Sequence, residues 1–321
     1  MLINKIKDTI KKYNLISPGD RVLAGVSGGP DSMALLCILH KLSKELGFSI
    51  YAAHLDHMLR KDSAKDRGFV EDFCRRVGIV FYSTQINVQE LSQKGSLEEI
   101  ARNARFGFFF NLAKKIKAKK IALGHNLDDQ AETVLMRIIR GAGLYGLSAI
   151  LPKRQIAGFY IIRPLIEIKR KEIEAFLKRK SIKPRIDKSN FQDIYFRNKI
   201  RNSLLPLLEK KYNCNIKAVL SSLAETAGYD YDYLNKNAEK ALKLLGKTIN
   251  KDKYNRLHPA IQRLVLRLSF SRIKGDTRGI TYKHIKEIED MIFGRPLGSV
   301  VDLPKGVSVV KKKNSIVFFK R

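Results

Sequence analysis

The first two thirds of the chain alternate between short apolar runs and longer segments whose apolar residues recur every three or four positions. The first pattern is typical of buried strands and the second of amphipathic helices. The predicted strands cover residues 21–26, 48–54, 79–86, 120–124 and 159–162. The predicted helices cover residues 31–46, 63–77, 96–117, 127–140 and 169–180. This alternation predicts an α/β fold with a doubly wound parallel sheet, whose ligands bind at the carboxyl ends of the strands.

The pattern changes after Pro206. Long helical periods cover residues 216–245, 259–272 and 281–293, and short β-like runs follow near residues 300, 307–310 and 316–319. A chain of 321 residues is also longer than one typical domain. We therefore predict an N-terminal α/β domain over residues 1–209 and a smaller, mostly helical C-terminal domain with a short β end over residues 210–321.

A small polar loop joins the first predicted strand to the next helix, and it reads Ser27-Gly28-Gly29-Pro30-Asp31-Ser32. Its glycines have no Cβ, so backbone N–H groups can close around a phosphate at the positive end of the helix. Its serines can add hydroxyl donors, whereas Asp31 is suited to help hold a magnesium ion that bridges phosphates. No lysine follows the glycines, which excludes a Walker A loop. The alternative is an ordinary turn whose glycines serve only a positive φ.

A second polar stretch follows the fourth predicted strand and opens a helix; it begins Gly124-His125-Asn126. Asp129 and Glu132 are three residues apart, so they lie on one face of that helix. The two carboxylates could bind an ammonium group, coordinate magnesium or accept a proton from an amine. Equally, they could be ordinary capping and macrodipole partners. His125 could donate to phosphate oxygens or form a common hydrogen bond to the backbone.

The stretch His54-Leu55-Asp56-His57 follows the second predicted strand. Two histidines with an aspartate could suggest a metal site, but they lie at a strand end rather than on a helix face, and no further ligand can be assigned. We favour a loop of the nucleotide crevice. The cysteines Cys37, Cys74 and Cys214 are far apart, which supports neither a zinc site nor a disulfide framework.

The charge of the chain is strongly unbalanced. Lys and Arg total 62 residues against 31 for Asp and Glu, a formal net charge of +31. A lysine-rich proteome, as found in organisms adapted to high temperature, is the alternative explanation of this charge. Ion-pair networks in such proteins would bring as many carboxylates as basic groups, so a nucleic acid partner explains the imbalance better. Basic runs such as Lys311-Lys312-Lys313 would then contact phosphates.

The first residues, 1–13, have the pattern of an amphipathic basic helix. They lack the apolar centre of a signal peptide, and the sequence has no long apolar span elsewhere. We therefore expect a cytoplasmic protein with no membrane association.

Five motifs occur in the order found in the tRNA(Ile)-lysidine synthases, and the chain resembles that family. The motifs are Ser27-Gly28-Gly29-Pro30-Asp31-Ser32, His54-Leu55-Asp56-His57-Met58-Leu59-Arg60, Ala101-Arg102-x-x-Arg105-Phe106, Gly124-His125-Asn126-x-Asp128-Asp129-Gln130-Ala131-Glu132-Thr133 and Arg197-Asn198-x-x-Arg201. The first alone is similar to the PP-loop of ATP pyrophosphatases, which GMP, NAD and asparagine synthetases and tRNA thiolases share. The resemblance is close over about residues 20–205 and looser beyond them.

The resemblance implies a specific reaction. Such enzymes use ATP to adenylate the C2 oxygen of the wobble cytidine in a tRNA(Ile) with a CAU anticodon, and the ε-amine of free L-lysine then displaces AMP. It implies a Rossmann-like PP-loop catalytic domain over residues 1–209 and a tRNA-binding domain over residues 210–321. ATP and magnesium are the implied cofactors, tRNA and free L-lysine the implied partners, and a homodimer is compatible with the family.

The resemblance also assigns roles to residues. Residues 27–32 are expected to bind ATP, with Asp31 in catalysis beside the magnesium ion. Asp129 and Glu132 are expected to bind lysine.

Three further residues match positions suited to the adenylation step. His125 is expected to contact phosphate, and Arg105 and Arg197 are expected to stabilise charge on the transferring phosphate. The alternative for these arginines is a solvated side chain or a contact to tRNA phosphate. Arg102 and Arg201 match the motifs less decisively.

Specificity for a single-stranded anticodon requires side chains on which bases can stack. The candidates are Phe106, Tyr145 and Phe191. Longer members of the family carry an additional C-terminal subdomain, and this chain is too short to include it. We therefore expect fewer or different contacts to the acceptor stem.

Two other functions stay open. A tRNA thiolase has the same fold, but thiolases usually need cysteines to relay sulfur or hold an iron–sulfur cluster, and the scattered cysteines argue against this. A non-catalytic, nucleotide-responsive RNA-binding protein would need the loop and the basic surface but not Asp129 and Glu132.

Overall fold

The structure of the chain is a computed structural model that describes residues 2–58, 63–88, 90, 97–185, 196–246 and 248–321. Contacts divide the chain into two units, Met1–Glu225 and Thr226–Arg321. The division falls within the long helix α10 (Ile216–Leu245), whereas the sequence places a domain boundary after residue 209. The start of α10 belongs with the first unit because Leu220 packs in a cluster with Leu205.

The first unit contains a six-stranded sheet. The strands are β1 (Arg21–Gly25), β2 (Ser49–Asp56), β3 (Val80–Gln85), β4 (Lys120–Ala122), β5 (Lys153–Ile156) and β6 (Phe159–Ile162). Their order is β3-β2-β1-β4-β6-β5, and all neighbours are parallel except β5, which is antiparallel to β6. The chain adds strands on one side of β1 up to β3 and on the other side from β4 onwards, so the strand order switches direction between β1 and β4. Ligands bind at such a switch point in α/β sheets.

Helices cover both faces of this sheet. They are α1 (Leu2–Lys12), α2 (Pro30–Leu46), α3 (Ser63–Val77), α4 (Leu97–Lys115), α5 (Leu127–Ile139), α6 (Leu144–Leu147), α7 (Arg170–Arg179), α8 (Phe196–Lys199) and α9 (Leu205–Lys211), with a π-helical turn at Ile200–Leu204. Val22 and Ala24 pack into the cluster that contains α1 and α2, while Leu23 between them packs against α4. This alternation of fully buried residues confirms the predicted doubly wound fold.

The second unit combines helices with a small antiparallel sheet. After α10 come α11 (Lys251–Asn255), α12 (Pro259–Lys274) and α13 (Tyr282–Gly294), and the strands are β7 (Ile249–Asn250), β8 (Val300–Leu303), β9 (Val307–Lys311) and β10 (Ser315–Lys320). The strand order is β7-β10-β9-β8. The core includes Phe270 of α12, Ile288 of α13 and Val309 of β9, all fully buried. The predicted helical unit with a short β end is confirmed. Strand β7 was not predicted, because its two residues are too few to form a recognisable pattern.

None of the helices among the residues described above is long and apolar enough to cross a membrane.

Candidate active site

The predicted phosphate loop lies between the end of β1 and the start of α2. Gly28 has a φ of 85°, in the left-handed region that favours glycine, and Pro30 begins the helix. The Ser32 hydroxyl donates to the Gly29 carbonyl at 2.9 Å and accepts from the Ser27 backbone N–H at 3.1 Å. The Ser32 hydroxyl therefore stabilises the conformation of the loop. Ser27 is exposed, as a contact to phosphate requires.

The polar stretch after β4 lies directly against this loop. A Cβ built on Gly124 would lie 3.0 Å from the backbone carbonyl carbon of Asp31 and 3.1 Å from the backbone nitrogen of Ser32. A side chain at residue 124 would push into the backbone of the loop, so glycine is needed for this approach. Because β1 and β4 are parallel neighbours, the two motifs meet at the same edge of the sheet.

The Asp31 carboxylate is held by two groups from distant parts of the chain. Its Oδ1 accepts a hydrogen bond from Asn126 Nδ2 at 2.9 Å, and its Oδ2 accepts one from Arg170 Nη1 at 2.5 Å. Burial raises the pKa of Asp31 to about 6, against the opposing charge of Arg170. A partly desolvated carboxylate beside a phosphate loop is the kind of oxygen ligand that magnesium prefers.

Asn126 also fixes the start of α5. Its Oδ1 accepts from the Asp129 backbone N–H at 3.0 Å, and its own backbone N–H donates to Asp129 Oδ2 at 3.0 Å, which forms a capping box. The ordinary capping role considered from the sequence is therefore real for one oxygen of Asp129. The other oxygen, Oδ1, is directed to arginines.

Asp129 and Glu132 share two arginines, as their spacing on one helix face allows. Arg197 donates from Nε to Glu132 Oε2 at 2.7 Å and from Nη2 to Asp129 Oδ1 at 2.8 Å. Arg201 donates from Nε to Glu132 Oε1 at 2.6 Å and from Nη2 to Glu132 Oε2 at 2.9 Å and Asp129 Oδ1 at 3.2 Å. Glu132 is only 2% exposed, so its charge depends on these partners. We name these four residues the carboxylate–arginine cluster.

The pKa of Arg201 reflects this cluster. Burial alone would lower the pKa of the guanidinium, but the hydrogen bond to Glu132 and the charges of Glu132 and Asp129 outweigh burial and raise it. The cluster places two carboxylates and two guanidinium groups in contact.

His125 lies at the end of β4 beside several cations. The pKa of its imidazole lies well below the ordinary value because of burial, and the nearby positive charges of Arg163, Arg197, Arg102 and Arg105 lower it further. Its Nδ1 is enclosed without a hydrogen-bond partner among the described residues. A neutral imidazole among arginines is suited to a contact with an anionic oxygen. Arg105 and Arg197 are among these arginines, and their contact with phosphate stays a prediction.

His54, near the end of β2, and His57, just after it, belong to no cluster of three potential metal ligands among the described residues. His54 Nδ1 donates to the Val26 carbonyl at 2.9 Å, which ties β2 to the end of β1. Asp56 Oδ1 accepts from the Met58 backbone N–H at 2.8 Å. The part of this motif at Leu59 and Arg60 lies outside the described residues.

Sequence reasoning placed Arg170 only in a basic run expected to contact tRNA phosphates, and it gave no role to Arg163 or the side chain of Asn126. Arg170 begins α7, where acidic residues are usually preferred, so an arginine in a first helical turn is a signal that it serves another group. Arg163 is 5% exposed and donates to the Leu151 carbonyl, and its Nε has no partner among the described residues. Arg163 directly follows an apolar strand, and no polar motif around it indicated a functional role.

The stacking candidates lie in different surroundings. Phe106 is half-buried on α4, 5.6 Å from the Phe110 ring centroid and under the Arg102 guanidinium. Tyr145 is 46% exposed on α6. Phe191 lies outside the described residues. Base stacking by all three stays a prediction.

Comparison of the sequence with known proteins identifies the family to which this site belongs. The family model described as a PP-loop domain matches residues 2–208. The chain is similar to the tRNA(Ile)-lysidine synthase of Clostridioides difficile, with 41% identity over 327 residues that cover 99% of this chain and 70% of that protein. It is 36% identical to the tRNA(Ile)-lysidine synthase of Caldanaerobacter subterraneus, over all of this chain and 69% of that protein.

Among solved structures, the chain is similar to the U34-tRNA thiolase NcsA of Methanococcus maripaludis, which was determined with its [4Fe-4S] cluster. The TM-score is 0.60 at 20% sequence identity, and the match covers 70% of this chain and 78% of that one. A likeness at this identity supports the shared fold of the catalytic unit and leaves the reaction to be argued from the site.

Proposed function

This chain belongs to the tRNA(Ile)-lysidine synthases, a family of PP-loop enzymes that use ATP to modify tRNA, and we propose that it attaches free L-lysine to the wobble cytidine of tRNA(Ile) with a CAU anticodon. The product is lysidine, and AMP and pyrophosphate are released. One observation carries the proposal: the phosphate loop and two adjacent carboxylates, the buried Glu132 and the partly buried Asp129, lie at the same edge of one sheet.

The first proposed step is adenylation. The C2 oxygen of cytidine attacks the α-phosphorus of ATP, the bond to the β-phosphate breaks, and pyrophosphate leaves. Residues 27–32 would hold the phosphates through backbone N–H groups at the start of α2. His125, Arg105 and Arg197 are supported as contacts to the developing negative charge by the basic surroundings described above.

Magnesium fits this step. The Asp31 carboxylate beside the loop would hold the ion, with Asn126 fixing the orientation of that carboxylate. When bound, magnesium neutralises phosphate charge during the transfer.

The second proposed step is displacement of AMP. Asp129 and Glu132 would bind the ε-ammonium of lysine, which first gives a proton to water or to one of these carboxylates, because only the neutral amine has a free electron pair. The amine nitrogen then forms a bond to C2, the bond from C2 to the adenylated oxygen breaks, and that oxygen leaves with AMP. A buried carboxylate such as Glu132, with a second carboxylate beside it, needs cationic partners, and an ammonium group is a suitable one.

The second unit is proposed to bind tRNA, together with basic side chains of the first. The net charge of +31 supports a polyanionic partner, because phosphate contacts supply much of the affinity for nucleic acids. A homodimer and a cytoplasmic location stay predictions.

The test is transfer of labelled L-lysine to a tRNA(Ile) transcript with a CAU anticodon, in the presence of magnesium and ATP. A tRNA(Met) transcript with the same anticodon serves as the control. Lysine incorporation into tRNA(Ile) alone, with AMP and pyrophosphate released, would support the proposal. Release of AMP without lysine incorporation would exclude lysine as the nucleophile, and no AMP at all would favour a binding protein.

A further inference from the structure

The carboxylates proposed to bind lysine are already occupied by arginines of the chain itself. In the carboxylate–arginine cluster, Arg197 and Arg201 donate five hydrogen bonds of 2.6–3.2 Å to Asp129 and Glu132. Two negative and two positive charges balance. An added ε-ammonium would leave one uncompensated positive charge in a largely buried place, which is unfavourable. Lysine therefore needs one arginine to leave.

The two arginines are held differently. Arg201 grips Glu132 with two nitrogens, at 2.6 Å and 2.9 Å, in the bidentate geometry that makes arginine–carboxylate pairs strong. Arg197 instead bridges, with one nitrogen on Glu132 and another on Asp129. If Arg197 left, Glu132 would keep a bidentate partner and Asp129 would gain room for a new cation.

Arg197 also lies where it can meet phosphate. Its positive charge acts on His125, the residue proposed to contact phosphate, and its side chain is 37% exposed at the edge of the cluster. With Arg197 drawn away, Asp129, Glu132 and Arg201 carry one net negative charge, and one ε-ammonium neutralises it. The charges balance before and after the exchange.

We propose that Arg197 is a placeholder for the ε-ammonium of lysine: it occupies Asp129 and Glu132 until the phosphates of ATP draw it toward His125. This inference rests on the proposed function, whose lysine site it describes. It makes the binding of lysine conditional on the nucleotide. By linkage, lysine and nucleotide must then strengthen each other's binding by the same factor.

The test is calorimetric titration of L-lysine into the full chain, with and without magnesium and an ATP analogue that has a methylene group between the α- and β-phosphates. For the unaltered chain, the analogue is expected to strengthen lysine binding about tenfold or more. The Arg197→Met variant is expected to bind lysine without the analogue as tightly as the unaltered chain does with it. Arg197→Lys, which keeps the charge, is expected to restore part of the dependence.

Arg263→Met is the matched control, because Arg263 also donates from Nε and Nη2 to carboxylate oxygens, here both of Glu289, in the other unit. This variant should keep the full dependence on the analogue. The reciprocal titration of the analogue, with and without lysine, must give the same factor and needs no variant.

Equal lysine binding with and without the analogue would overturn the inference, as would an Arg197→Met variant that still depends on the analogue. The lysine transfer assay on the same preparation separates this failure from that of the proposed function. Transfer without coupled binding overturns the inference alone. Absence of both transfer and lysine binding overturns both.

Discussion

Each unit of the chain contains a glutamate clamped by arginine, and the two clamps differ in burial and in the number of competing charges. Glu132 on α5 is 2% exposed, shares its two arginines with Asp129, and lies at the edge of the sheet where ligands bind. Glu289 on α13 accepts from Arg263 of α12 at 2.7 Å, but Arg263 is 43% exposed. Lys286 lies one turn before Glu289 on the same helix, 3.3 Å away.

The difference separates a structural ion pair from the proposed ligand site. The Glu289 clamp links two neighbouring helices near water, where ion pairs contribute little to stability. The Glu132 clamp places two carboxylates and two guanidinium groups in contact, with the Glu132 carboxylate itself away from solvent. Burying that charge is costly, and the proposed binding of a cationic substrate would explain why it is kept. Burial and charge number, rather than the presence of a salt bridge, distinguish the two.

The largest expected effect is loss of lysine transfer in Glu132→Gln. The change keeps the side-chain shape but leaves the cluster with an excess positive charge, so the ε-ammonium is repelled. Lysine transfer to tRNA should fall roughly 100-fold or more, and tRNA-dependent pyrophosphate release should fall much less. Glu289→Gln should leave both rates close to those of the unaltered chain. Equal losses in the two variants would remove the distinction between the clamps.

A smaller effect is expected on stability when the arginines are removed. Arg201→Met leaves Glu132 buried with only one arginine that is shared with Asp129, so the free energy of unfolding should fall by about 2 kcal/mol. Arg263→Met should lower it by less than about 1 kcal/mol, because its pair is partly solvated. Chemical denaturation of both variants measures this. A larger loss for Arg263→Met would reverse the comparison.

The acid sensitivity of the first unit should depend on His125. Its pKa is lowered in the folded chain, so below the unfolded value of 6.5 the unfolded chain binds a proton that the folded chain does not. Stability should therefore fall as the pH drops below 6.5, by at most about 1.4 kcal/mol per pH unit from this residue. His125→Gln should lose less stability than the unaltered chain between pH 6.5 and 5. Parallel losses would contradict the lowered pKa.

Glu289 should also make the chain less stable as the pH falls, but at lower pH than His125 and with the smallest effect. Burial would raise the pKa of Glu289, but the hydrogen bonds and charges of Arg263 and Lys286 outweigh it and lower the pKa below the ordinary 4.5. Its contribution is present above pH 4.5 and is lost as the pH falls through the folded value. Unfolding measured at decreasing pH should show the unaltered chain and Glu289→Gln converging. A constant difference would show that the carboxylate charge is not involved.

Much of the first unit could be predicted because its signals are local. Apolar runs such as β1 identify the buried parallel strands, and a strand, a polar loop and a helix in sequence identify the phosphate loop. The resemblance to the tRNA(Ile)-lysidine synthases is likewise confirmed by relatives across nearly the whole chain. Strand β5 was not predicted, because its Lys153, Arg154 and Gln155 belong to a partly exposed edge strand with no apolar run.

The partners within the site could not be predicted for a different reason. The spacing of Asp129 and Glu132 predicts that they share one helix face. The arginines that hold them, however, lie 65 to 72 positions further along the chain. Arg170 reaches Asp31 across 139 positions. No local pattern encodes such pairs, because only the fold brings these side chains together.

The close packing of Gly124 against the phosphate loop joins parts of the chain that a ribosome makes at different times. The loop that holds Asp31 is made early, but its packing partner at Gly124 and the cap at Asn126 emerge much later, and Arg201 later still. Contacts this distant in sequence form slowly, because long stretches of chain must close first. A nascent chain therefore cannot assemble the carboxylate–arginine cluster until residues 196–204 have left the ribosome.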